Sequence, residues 1–415
     1  MKLVLINIKQ LVTVSSGGKP VKTGESMRDL HVIENAAVMI EDDKISWIGR
    51  MEDLSMSSLG GETDILDCME RIALPGFVDA HTHAVFAGNR ANEFGRRSAG
   101  ATYAEITAEG GGILSTVQSV RETSKKDLKK QTRRYLNNML RHGTTTVEIK
   151  SGYGLSAESE LKMIEAIHEL QEEEVITVVP TFLGAHAIPP EYKENRQAYI
   201  DEILEKMIPY IGSKQLAKFC DVFCEKGFFT IAESRAILLH GKQFGLMPKI
   251  HAEELSRSGG AGLAAETGAC SADHLEHIND EAIGMLKKAG TVAVVLPGVS
   301  FFLNHEYAPA RKLIDEGVPV AIASDFNPGS CMSYDMPLMM TIACTHMHLS
   351  PEEAITASTL NAAAAVSLSH EIGSIEVGKK ADIILLNIPE YSYIPYHFGE
   401  VHVEKIIKNG VVLEI

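Results

Sequence analysis

The amino-acid sequence predicts an α/β protein: a (β/α)8 barrel of the TIM type, with a small β-sandwich domain formed by the N- and C-terminal segments. Three observations lead there. Eight short apolar runs rich in Val, Ile and Phe alternate with helical patterns through the middle of the chain, which is the form of repeated βα units and a parallel sheet. The two ends share another texture, short alternating segments broken by turn residues. Polar and metal-ligating residues gather where the eight runs end, and barrels of this type build their active sites at the C-terminal ends of the strands.

The segments LVLINI, AAVMIEDDKISWIG and ILDC read as strands of a small sheet, separated by turn material such as SSGGKP. The last stretch, GSIEVGKKADIILLNI and VEKIIKNGVVLEI, reads the same way, with Asn409-Gly410 as a hairpin signal. Residues 1–67 and 371–415 are therefore expected to form one composite domain, with the barrel over 68–370. The eight barrel strands are expected to end at HTH (81–83), EIKSGYG (148–154), FLGAH (182–186), FCEKG (223–227), IHAEE (250–254), ADHLEH (272–277), VVLPG (294–298) and ASDFNPG (323–329). Helix-compatible sequence follows them, as in SAESELKMIEAIHELQEEE and TIAESRAILLHGKQFG.

Composition removes several function classes. The balance of 39 basic against 55 acidic residues gives a net charge of −16, spread along the chain, which argues against nucleic acid or an anionic membrane as partner. No apolar run approaches a membrane span, and the N-terminal MKLVLINIKQLVTV alternates like a strand, unlike a signal peptide. Six cysteines without framework spacing point to a reducing, cytoplasmic setting.

His81 and His83 stand two apart at the end of LPGFVDA, so both imidazoles project to one face and can reach one cation. The spacing alone is weak: His346-Met347-His348 repeats it, but follows a helical pattern and precedes another, which suits a surface or packing role. What raises the first pair is company at other strand ends, namely His251, His274 and Asp325. Imidazoles with a carboxylate suit zinc or iron.

LPGFVDAHTH, followed by IHAEE, ADHLEH and ASDFNPG and closed by GSIEVGKKAD, resembles the amidohydrolase superfamily across essentially the whole chain. Within it, HTHAVFAGNRANEF, TYAEITAEGGGI, TVEIKSGYGL, FLGAHAIP, HAEE and SDFNPGS look like segments of the imidazolonepropionase family. The resemblance implies hydrolysis of the cyclic amide of 4-imidazolone-5-propanoate to N-formimidoyl-L-glutamate, in histidine degradation. It also implies one metal per subunit, divalent or trivalent, zinc or iron, held by His81, His83, His251 and Asp325. Glu254 is placed to orient water and carry its proton, His274 to stabilise the oxyanion or relay protons, and Asp325 to combine ligation with proton acceptance. His186 is expected against the substrate ring.

The anionic side arm of such a heterocyclic substrate needs charge-assisted hydrogen bonds, for which Arg90, Tyr103 and Tyr153 are the candidates. Asn327, Gly329 and Ser330 resemble the family's substrate-contacting loop, where glycine lets backbone amides face a carboxylate. Many superfamily members bridge two metals through a lysine at the end of the fourth strand. Lys226 stands near that end, but the other segments point to a mononuclear site, and Lys150 is expected to be structural. Barrels of this kind commonly pair, so a homodimer is expected. Two other readings stay open at this point: another amidohydrolase, such as a heterocycle deaminase, and a non-catalytic barrel scaffold.

Overall fold

The structure is a computed structural model that describes residues 2–55, 63–101, 105 and 110–414. Tyr103 lies outside these residues. Two eight-stranded sheets account for the architecture.

The terminal sheet is mixed. Strands β1 (Lys2–Val12), β2 (Val32–Glu41), β3 (Lys44–Arg50), β4 (Thr63–Asp67) and β5 (Ile72–Pro75) join β14 (Ile383–Leu386), β15 (Val403–Lys408) and β16 (Val411–Leu413) from the other end of the chain. The ends meet where β5 pairs antiparallel with β14 and parallel with β1. Asn409 and Gly410 join β15 to β16 with φ of 49° and 77°, the left-handed pair that a tight hairpin turn requires. The two-residue period of strands divides the labour of β14. Ile383 and Leu385 enter the terminal sheet's own core with Leu5, Val38 and Ile407, while Ile384 and Leu386 join the barrel core.

The second sheet is parallel and runs in chain order: β6 (Phe77–Asp79), β7 (Thr144–Lys150), β8 (Thr177–Ala185), β9 (Phe219–Cys224), β10 (Met247–Ala252), β11 (Ser271–His274), β12 (Val292–Val295) and β13 (Val320–Ile322). A parallel bridge between Thr82 and Phe326 joins the first strand end to the last and closes the barrel. Every residue of β7, β9 and β13 is buried, as expected for strands covered on both faces. Several helices start at side-chain caps. Ser156 accepts from the Ser159 N–H to open Ala157–Glu173, and Thr230 with Glu233 forms a capping box for Ile231–Gln243.

The apolar run LPGFVDA, read as one strand, is split. Ile72–Pro75 belongs to the terminal sheet and Phe77–Asp79 to the barrel, with Gly76 at the crossing. A Cβ at 76 would lie 2.2 Å from Thr145 Oγ1, so only glycine lets the chain pass between the sheets here. The N-terminal segment is also tied to the barrel side. Glu353, in the helix Pro351–Ser358, accepts from Arg28 Nε at 3.0 Å and from Arg311 Nη1 at 2.7 Å, with no side-chain exposure.

Candidate active site

The barrel's C-terminal rim is where the fold concentrates polar side chains. His81 and His83 follow β6, their rings 5.5 Å apart, and His81 lies 4.5 Å from the His251 ring at the end of β10. Asp325 follows β13; its Oδ1 is 3.5 Å from His81 Nε2 and 3.4 Å from His83 Nε2. Barrel closure sets this approach, since Asp325 N–H donates to the His81 carbonyl and His83 N–H to that of Phe326. Asp325 adopts φ 48°, a left-handed conformation that is uncommon outside glycine and that aspartate tolerates better than most side chains.

His81 Nε2, His251 Nε2 and Asp325 Oδ1 are buried and have no hydrogen-bond partner. Such groups are costly to leave unpaired, and here they converge: His81, His83 and Asp325 form one set of donor atoms within 4.8 Å of one another, and His81, His251 and His274 a second. Burial, reinforced by neighbouring positive groups, holds His81, His83 and His274 well below the ordinary histidine value, so they are neutral with lone pairs available. Burial, with the Glu254 carboxylate adding to it, holds Asp325 well above its usual range. A cation satisfies both conditions at once, so the residues present fit a metal.

Sequence reasoning did not single out the residues beneath this cluster. Asp273 Oδ2 accepts from His81 Nδ1–H at 2.7 Å, and Asp221 Oδ1 from His251 Nδ1–H at 3.0 Å. With Nδ1 donating, each ring keeps its Nε2 lone pair for the cation. Lys150, expected to be merely structural, lies between them with no exposure, while Lys226 is exposed. The available signal was a charged residue inside an apolar parallel strand, as Asp221 is in FCDVFC.

Glu254 stands at the rim with 18% of its side chain exposed, Oε2 3.6 Å from His274 Nε2. Burial pushes its carboxyl up to about 7; the Glu225 carboxylate adds to this and His251 opposes it. His274 Nδ1 in turn lies 3.9 Å from the Glu276 carboxylate, and His277, half-exposed, faces away towards Glu306. His186 stacks on His83 with centroids 5.1 Å apart and donates through Nδ1–H to the Gly152 carbonyl; burial lowers it to about 4. Tyr153 packs against both rings, at 5.6 Å and 5.4 Å.

Arg90 reaches the same rim. Its Nε donates to Glu93 at 2.8 Å, and its guanidinium lies over Gly329, where a Cβ would be 2.2 Å from Nη1. The loop amides behave differently from expectation. Gly329 N–H and Ser330 N–H both donate to Asn327 Oδ1, at 2.7 and 2.8 Å, so they hold the loop together instead of facing a ligand. Gly329 matters for what it lacks, a side chain under Arg90. The rim thus brings together every candidate residue among those described, while His346-Met347-His348 sits at a helix end with His346 stacked on Tyr307.

The amidohydrolase family model matches residues 72–413. The chain belongs to the amidohydrolase family. This amidohydrolase is 48% identical to the imidazolonepropionase of Geobacillus sp. (strain WCH70), over 99% of this chain and 97% of that one. It is also 48% identical to the imidazolonepropionase of Symbiobacterium thermophilum, over 98% and 96%. Among solved structures, an Escherichia coli guanine deaminase superposes with a TM-score of 0.77 at 14% identity, covering 100% of this chain and 99% of that one. An adenosine deaminase from Xanthomonas campestris with bound zinc gives 0.74 at 17%, covering 99% and 92%. At such identities these two show the fold of the amidohydrolase and nothing finer.

Proposed function

We propose that this amidohydrolase opens the ring of 4-imidazolone-5-propanoate by hydrolysing its cyclic amide C–N bond, giving N-formimidoyl-L-glutamate in histidine degradation. The observation that carries the reading is the near full-length similarity to imidazolonepropionases. The rim suits it: a cluster of cation donors, a carboxyl at about 7 and an arginine with an adjacent tyrosine meet at one mouth.

His81, His83, His251 and Asp325 would hold the cation. When bound, a divalent ion polarises the carbonyl and brings the pKa of water towards neutrality. The rest belongs to the chain. Glu254, poised near 7, takes the proton of the attacking water and returns it to the leaving ring nitrogen. His274, beside Glu254, stabilises charge growing on the carbonyl oxygen. His186 and Tyr153 pack against the ring, and Arg90 binds the propanoate through its planar fork, with Tyr103 as a further donor. Asn327 fixes the 327–330 loop, and its partners Gly329 and Ser330 shape the floor under Arg90.

Zinc and iron both suit three imidazoles and a carboxylate. We further assign catalysis to the barrel unit over 68–370 and an accessory role to 1–67 with 371–415, in a homodimer; β5, within the first range, pairs in the terminal sheet, and the chain crosses at Gly76. No helix among the described residues is long and apolar enough to cross a membrane. All six cysteines are free, which supports a cytoplasmic setting. The test is loss of imidazolone absorbance when freshly generated substrate meets purified protein, with and without chelator. Absence of turnover in a metal-loaded preparation, or turnover indifferent to chelation, would overturn the reading. A deaminase of a neutral base has no use for Arg90, so Arg90→Ala separates that alternative by leaving its activity unchanged.

A further inference from the structure

One layer below the histidines the barrel interior holds a group of fully buried charges. Lys150 Nζ donates to Asp221 Oδ2 and to Glu148 Oε1, each at 2.8 Å, and lies 3.7 Å from Asp273 Oδ2. None of these side chains has any exposure. The two aspartates come from β9 and β11, separate strands of the barrel, and each holds the Nδ1–H of a different cation-facing histidine. Lys150 is thus the one ammonium among the described residues within ion-pair distance of both.

We propose that Lys150 is a positioning residue for the cation centre: it fixes the carboxylates of Asp221 and Asp273 so that His251 and His81 present their Nε2 atoms together. The inference rests on the reading that this cluster holds a metal.

Lys150 anchors Asp221 directly and adds its charge to the bonds that hold Asp273. A lone carboxylate under each ring could rotate about its own Cα–Cβ and Cβ–Cγ bonds, and the imidazole would turn with it. Asp221 spends Oδ1 on His251 and Oδ2 on Lys150, so neither torsion is free. Asp273 spends Oδ2 on His81 and Oδ1 on Ser271 Oγ, and the same Oδ2 faces Lys150 and Lys249, each at 3.7 Å. Glu148 is the third anion beside Lys150 and also accepts from the Thr82 N–H at 3.3 Å, in the middle of the His81-Thr82-His83 segment. One ammonium therefore links the ligand-bearing ends of β6, β10 and, through Asp273, the floor of β11. A purely space-filling lysine stem would need none of these bonds, and methionine would replace it.

The test uses the full-length protein stripped of metal and titrated with cobalt(II), read as the visible absorption of the bound ion and as a dissociation constant by chelator competition. Lys150→Met should weaken cobalt binding by roughly 10–100-fold, the range for loss of partners that orient metal ligands. The effect should be non-additive with that of Asp221→Asn, because both act through one imidazole. Thermal melting checks that the variants fold. Cobalt affinity within about twofold of the parent in a folded Lys150→Met variant overturns the proposal. Failure of the parent protein itself to bind cobalt would instead overturn the metal reading, so the two outcomes are distinct. If Lys150→Met does not fold, the metal-free parent still decides: nitrogen-15 shifts should show both His81 and His251 protonated at Nδ1, and an Nε2-protonated form of either sinks the idea.

Discussion

Gly329→Ala probes the substrate clamp with a single methyl group. Gly329 does not occupy the left-handed region, so alanine suits its backbone, and the new Cβ meets one serious obstacle: Arg90 Nη1 at 2.2 Å, with Arg90 Cζ at 3.0 Å. An ordinary contact requires the guanidinium to retreat by more than about 1 Å. Arg90 is a flexible side chain, so the fold survives, but its Nε is tied to Glu93, which also accepts from Gly112 N–H and Ser115 Oγ. The retreat therefore breaks either that bond or the geometry offered to the substrate carboxylate. A charge-assisted hydrogen bond is worth about 1.5–3 kcal/mol, which at about 1.4 kcal/mol per decade is a loss of roughly 10–150-fold in kcat/KM. Steady-state turnover of imidazolone propanoate, with melting temperature and metal content as controls, measures it. Arg90→Ala should cost a similar factor, and the double variant little more. Unchanged kcat/KM in the folded, metal-loaded Gly329→Ala protein would refute the placement of the clamp.

Glu254→Gln should retain its metal and lose roughly 10²–10⁴-fold in kcat, checked by turnover beside metal analysis; near-normal rates remove Glu254 from proton transfer. His251→Ala should neither retain cation after dialysis nor turn over substrate, because one buried donor is gone and Asp221 loses the imidazole it orients. Glu353→Gln addresses stability. Burial opposes ionisation there, yet the bonds from Arg311, the Ser350 N–H and Arg28 hold its carboxyl below 4.5. A folded-state value below the unfolded one means the contribution is present above about pH 4.5 and lost as pH falls through the folded value. With Arg28 57% and Arg311 26% exposed, solvent screening leaves about 1–2 kcal/mol. Melting curves should show Glu353→Gln less stable than the parent at pH 7, with the gap closing below about pH 4.5; a gap independent of pH contradicts the assignment.

Much of this molecule is local in origin. Most barrel strands end close to where apolar runs give way to polar side chains such as His81, Lys150, His186, His251, His274 and Asp325, because an interior strand needs apolar side chains and its open end does not. The Ser156 and Thr230 caps and the Asn409-Gly410 turn follow from chemistry within a few residues, so pattern suffices to place them. Other features depend on contacts between distant positions. That LPGFVDA divides at Gly76 is set by Thr145 in the neighbouring strand and not by anything in the run itself. That Gly329 must make room for the Arg90 guanidinium depends on a loop more than two hundred residues away.

The amino-acid sequence by itself determined which side chains arrive at the mouth of the barrel, since alternation along a strand and the end of its apolar run are properties of neighbouring residues. Only the closed sheet decided how they are held. Asp221, Asp273 and Lys150 come from three strands and look like unremarkable charges until closure buries them together under His251 and His81. The value of a buried charge lies in its partners, and those partners are brought to it by tertiary structure.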